Sequence, residues 1–133
     1  MIESPFVAHR GILVDGFYSA ACFLRAFAMS MYEGDISPLD AGGLRNLDHH
    51  HMKVFQEMAA WFRLHGPNHP DFIDVCKAIK ANRLASALEW KARLDELLAS
   101  DPDSYEGGCR QHEDAVIFYR RWHEANVARR WID

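Results

Sequence analysis

Apolar residues along this chain recur at spacings of three and four, and beyond residue 15 no segment alternates with period two. That pattern predicts an all-α fold, a single compact bundle of about five helices joined by short connections. The first helix is read over 16–33. It is apolar nearly all round, with only Ser19, Arg25 and Ser30 clearly polar. A helix without a polar face must be covered on several sides, so it is expected at the centre of the bundle. Gly34 follows as its C-terminal stop.

A second helix is expected over 38–65. Ser37, Pro38 and Asp40 give its start signal, although Gly42 and Gly43 loosen the first turn. From Leu44 onward an apolar stripe runs through Leu47, His51, Phe55, Met58 and Phe62, and Gly66–Pro67 ends it. A third helix over 69–81, capped by Asn68, carries Phe72, Val75, Cys76 and Ile79 inward. Asn82 is taken as a joint before a fourth helix over 83–99. There Leu84, Leu88, Leu94, Leu97 and Leu98 are expected to form the apolar side, with Trp90 off it. Glu89 and Arg93 stand four apart, in the favourable order for an exposed pair. The run SDPDSYEGG at 100–108 is a loop, and a fifth helix is read over 109–131. Residues 1–15 show no period and are expected as a short irregular N-terminal arm packed on the bundle. The whole of 1–133 is read as one domain.

Composition narrows the function classes. With 133 residues, 49% hydrophobic and 26% charged, the chain can bury a core without disulfides or a structural metal. A net charge of -4 argues against nucleic acid as the main partner. The most apolar stretch, 17–31, contains Arg25 and falls short of the roughly 20 apolar residues of a membrane span. Glu3, His9, Arg10 and Asp15 interrupt any leader-like run. Cys22, Cys76 and Cys109 are odd in number and form no CxxC, which suits a reducing, cytoplasmic setting.

Eight histidines invite a search for chemistry. His49, His50 and His51 point in three directions on a helix and cannot meet at one metal. His49 is expected in solvent, His50 at the edge and His51 in the core stripe. His50 and Glu57 share a face, as do His112 and His123, so these four are the candidate ligands for a site between the second and fifth helices. No HExxH or Glu-x-x-His spacing supports them, and His65–His69 spans a Gly–Pro turn. No cofactor is expected. Arg45-Asn46-Leu47-Asp48-His49-His50 resembles the RNA-cleaving motif of HEPN-type helical domains. That resemblance implies Arg45 on the scissile phosphate and His50 in proton transfer.

The last helix concentrates aromatic residues and arginine. Trp122 and Trp131 are expected on one exposed side of it with Phe118, beside Arg121, Arg129 and Arg130. Exposed aromatics beside arginine are enriched at protein interfaces. With no catalytic motif to set against this, the leading expectation is a protein–protein interaction or regulatory module, contacting another protein or itself. The alternatives are a helical metal- or small-ligand-binding domain using histidines of helices 2 and 5, and a HEPN-like ribonuclease.

Overall fold

A computed structural model describes residues 3–34, 37 and 39–132. Among these residues every regular element is helical and no strand occurs. The chain forms two compact units, Met1–Asn82 and Arg83–Asp133.

The first unit begins with two short helices, α1 (Pro5–Ala8) and α2 (Arg10–Asp15), where an irregular arm was expected. Ser4 and Pro5 explain the difference. The Ser4 hydroxyl accepts from the Phe6 N–H at 3.2 Å and Pro5 occupies the first helical turn. The same Ser–Pro signal was assigned at Ser37–Pro38, but Pro38 lies outside the described residues. Phe6 is fully buried, edge-on to Trp61 and Phe72 at ring distances of 5.2 and 5.0 Å.

Helix α3 (Ser19–Glu33) lies at the centre of this unit, as its all-round apolar pattern requires. Ala21, Leu24 and Ala28 have no exposed surface. Gly34 ends α3 with φ +58°. Arg25, the polar exception, is 4% exposed. Its Nε donates to the Leu13 carbonyl at 2.8 Å and its Nη2 to the Gly16 carbonyl. One buried guanidinium thereby serves the carbonyls at the end of α2, which a helix cannot satisfy by itself. Cys22 on this largely apolar helix is exposed, whereas Cys76 is buried.

The helix expected over 38–65 is interrupted. A 3₁₀ segment spans Ala41–Asn46, Leu47 is extended, and α4 runs from His49 to His65. Two caps cause the break. Asp40 accepts from the Gly42 N–H, and Asp48 accepts from the His51 N–H at 2.8 Å, starting α4 afresh. Gly43 fits here because a Cβ would lie 2.4 Å from the Phe23 ring.

The helices expected over 69–81 and 83–99 are one helix, α5 (Pro70–Ala99). An internal Asn costs well under 1 kcal/mol of helix propensity, and no Gly or Pro lies between Pro70 and Ala99 to stop the chain. Its start is capped by His69, whose Nδ1 accepts from the Asp71 N–H at 3.1 Å, not by Asn68. Phe72, Val75, Cys76 and Ile79 are buried as expected. Glu33, in the last turn of α3, pairs with Lys80. Burial alone would raise the Glu33 pKa. Hydrogen bonds from Lys80 and Ser37 outweigh it and hold the carboxyl below its usual value. Burial, with Glu33 nearby, pushes the Cys76 thiol up to about 12.

The second unit contains the rest of α5, a 3₁₀ turn at Pro102–Ser104 and α6 (Cys109–Ala128). His112 is buried and lies with Nε2 2.7 Å from the Leu97 carbonyl, tying the first turn of α6 to the end of α5. The last helix stops at Ala128 rather than 131, and Arg130 turns the chain with φ +61°.

Candidate interaction surface

In the second unit the leucines of α5 separate into two faces. Leu94 and Leu97 are buried with Ala87, while Leu84, Leu88 and Leu98 are 43–52% exposed. At about 100° per residue, Trp90 falls on the side of Leu94 and Leu97, not off it. The reason is competition for contact: the Trp90 ring packs on α6, at 5.7 Å from Phe118, 5.1 Å from Tyr119 and 5.5 Å from Trp122. Arg93 lies over Tyr119 with its Cζ 5.9 Å from the ring centre, and its ion pair is with Glu96, not Glu89. Hydrogen bonding to Tyr119, then to Glu96, holds the Arg93 guanidinium above its ordinary pKa.

This cluster is only half covered. Phe118 is 50% and Trp122 43% exposed, and Ile117 and Val127 on the same helix are comparably open. Exposed large apolar side chains of the first unit, Val7 on α1, Phe17 and Tyr18 in the connection before α3, and Leu64 on α4, are spread over three places in the chain. Isolated exposed apolar residues are ordinary on any protein, whereas a contiguous aromatic group is not.

The structure sorts the residues expected at this surface. Trp122, Arg121, Arg129 and Arg130 are exposed. Trp131 does not share a side with Trp122, because nine residues are two and a half helical turns and Trp131 also follows the end of α6. It is part-buried beside the buried Ile132. Leu84 and Leu88, expected to face inward, are exposed on a different side of α5 from Trp90. The signal that identifies them is the separation of Leu84 and Leu88 from Leu94 by about 80–120° around the helix.

The other chemical candidates are divided between the two units. His50 and Glu57 are on α4 in the first unit, and His112 and His123 are on α6 in the second. Glu57 pairs with His9 at 3.2 Å. His112 is occupied by the Leu97 carbonyl, and His123 points inward with its Nδ1 lacking a hydrogen-bond partner among the described residues. No group of three or more His, Cys, Asp and Glu among the described residues is arranged to hold a metal ion. Arg45 ends up on the 3₁₀ segment and His50 in the first turn of α4, so the six-residue motif spans two elements.

One further polar chain is present. The Tyr18 hydroxyl lies 2.9 Å from His51 Nε2, and His51 Nδ1 lies 2.7 Å from Asp48. The His51 backbone N–H first, and its ring second, hold the Asp48 carboxyl below its ordinary pKa. Here the imidazole secures a helix start and a neighbouring loop.

Surface depressions are shallow. One of about 280 Å³ is lined by Glu89, Trp90, Arg93 and Tyr119, just under the usual range of roughly 300–1,000 Å³ for small-molecule sites. Another, of about 410 Å³, is lined by Ala60, Arg63 and Leu64, which gives it no convergent polar groups beyond one guanidinium. No helix among the described residues is long and apolar enough to cross a membrane. No family model, curated protein or solved structure matches the chain.

Proposed function

We propose that this protein is a helical protein–protein interaction module whose contact face lies on its C-terminal unit. One observation carries the reading: Phe118 and Trp122 remain about half exposed although they belong to one aromatic cluster with Trp90 and Tyr119. Removing apolar surface from water yields roughly 25 cal/mol per Å². A half-covered Phe–Trp pair therefore holds apolar surface that only a partner would bury. Arg121 stands beside it and supplies the residue type most often found with aromatics at binding hot spots. The three cysteines are free thiols, which fits action in a reducing, cytoplasmic compartment.

The test uses the full chain as bait, with the double variant Phe118→Ser/Trp122→Ser as control. Both positions are exposed enough for the variant to keep its helical circular dichroism. The wild type is expected to form a stoichiometric assembly, with itself or another protein, that the variant loses. A wild type that stays monomeric and retains nothing the variant lacks contradicts the proposal.

A further inference from the structure

We infer that the partner is a second copy of this chain, docked antiparallel with α6 against α6. This rests on the interaction reading above and adds the identity and register of the partner. Stepping around α6 at about 100° per residue places Asp114, Phe118, Arg121, Trp122, Ala125 and Arg129 on one side of the helix. Asp114, Phe118, Arg121, Trp122 and Arg129 are exposed and Ala125 is part-buried. The strip is acidic at its start, aromatic in the middle and basic at its end.

Such a strip complements itself when reversed. With Asp114 opposite Arg129 of a second copy, Phe118 falls opposite Ala125 and Arg121 opposite Trp122. An acid then meets a base, a large ring meets a small side chain, and a guanidinium lies over an indole. The two-fold axis repeats each contact, as an isologous dimer requires. The parallel alternative sets Asp114 on Asp114, Phe118 on Phe118 and Arg121 on Arg121, so charge and volume both oppose it. Antiparallel packing also brings opposite ends of the two helix dipoles together.

Sedimentation equilibrium of the full chain over a roughly hundredfold concentration range reads the association directly. The wild type is expected to dimerise. Asp114→Arg and Arg129→Asp each turn both symmetric ion pairs into like-charge contacts, so each should raise the dimer Kd by about tenfold or more. The double variant Asp114→Arg/Arg129→Asp rebuilds the pairs with reversed sign and should return to within about threefold of wild type. Circular dichroism of all three variants checks that the exposed substitutions leave the helices intact. A double variant weaker than either single variant overturns the register and with it the inference. A monomeric wild type that still retains another protein through Phe118 and Trp122 overturns the second copy while the interaction reading stands. A monomer that retains nothing overturns both.

Discussion

Arg25 offers the sharpest test of the first unit. The substitution Arg25→Met keeps most of the aliphatic stem and removes the guanidinium. The Leu13 carbonyl, 2.8 Å from Nε, and the Gly16 carbonyl then lose a charged donor. Each hydrogen bond to a charged group contributes roughly 1.5–3 kcal/mol, and an orphaned buried acceptor costs about 1–3 kcal/mol. Relief of the desolvation of a guanidinium that is only 4% exposed works in the opposite direction. It does not cancel the loss, because the carbonyls stay where they are. Replacing a buried polar group is near neutral only when both partners are replaced. The net expectation is about 2–4 kcal/mol, a large share of the roughly 5–15 kcal/mol that holds a domain of this kind together. Urea unfolding followed by far-UV circular dichroism should show the midpoint falling by about 1–2 M for a slope near 2 kcal/mol per M. Amide exchange should place the largest loss of protection in α2. Arg25→Lys should fall between, since one ammonium does not reproduce the guanidinium fork. An unfolding free energy for Arg25→Met within about 0.5 kcal/mol of wild type would refute the capping argument.

Three further outcomes concern Gly43, the cysteines and the Glu33–Lys80 pair. Gly43→Ala should destabilise by about 1–3 kcal/mol in the same unfolding assay, because the added Cβ meets the Phe23 ring at 2.4 Å and overpacks a buried side chain. A thiol-reagent titration of the native protein should label Cys22 and Cys109 at once and Cys76 only on unfolding, since Cys76 is buried and its thiol is pushed up to about 12; rapid labelling of three thiols contradicts this. Glu33 has a folded-state pKa below its unfolded value. Its contribution is therefore present above the ordinary Glu range and lost as pH falls through the lowered folded value. Lys80 is raised by the same pair, so its contribution is present below the ordinary Lys range and lost as pH climbs through the raised value. Glu33→Gln should flatten the acid limb of the stability–pH curve, and an unchanged limb contradicts the pair's role.

Much of the fold was legible because helical periodicity and caps are local signals. The all-round apolar character of 16–33 led directly to the central position of α3, and Gly34 and Gly66 end helices with positive φ as expected. The failures have specific causes. Ser4–Pro5 is a strong start signal for helices too short to show a period. Asn82 was given the power to break a helix that its propensity does not have. The fourth helix was assigned one leucine face, although Leu84 and Leu88 stand well around the helix from Leu94. That error inverted the position of Trp90, and Trp90 organises the aromatic cluster. Phe118, Trp122 and Arg121 were singled out by residue type and helical spacing, whereas the half-exposure of the two rings depends on how the side chains of α5 and α6 meet.

In the proposed interaction module the aromatic face of the C-terminal unit is covered by a partner. Hydroxyl-radical footprinting of the isolated assembly against the dilute monomer tests it most directly. Labelling of Phe118 and Trp122 should fall severalfold on assembly, while Phe17 and Leu64, at 75% and 80% exposure, keep their rates. Equal labelling of Phe118 and Trp122 in both states, or protection that appears at Phe17 and Leu64 instead, would contradict it.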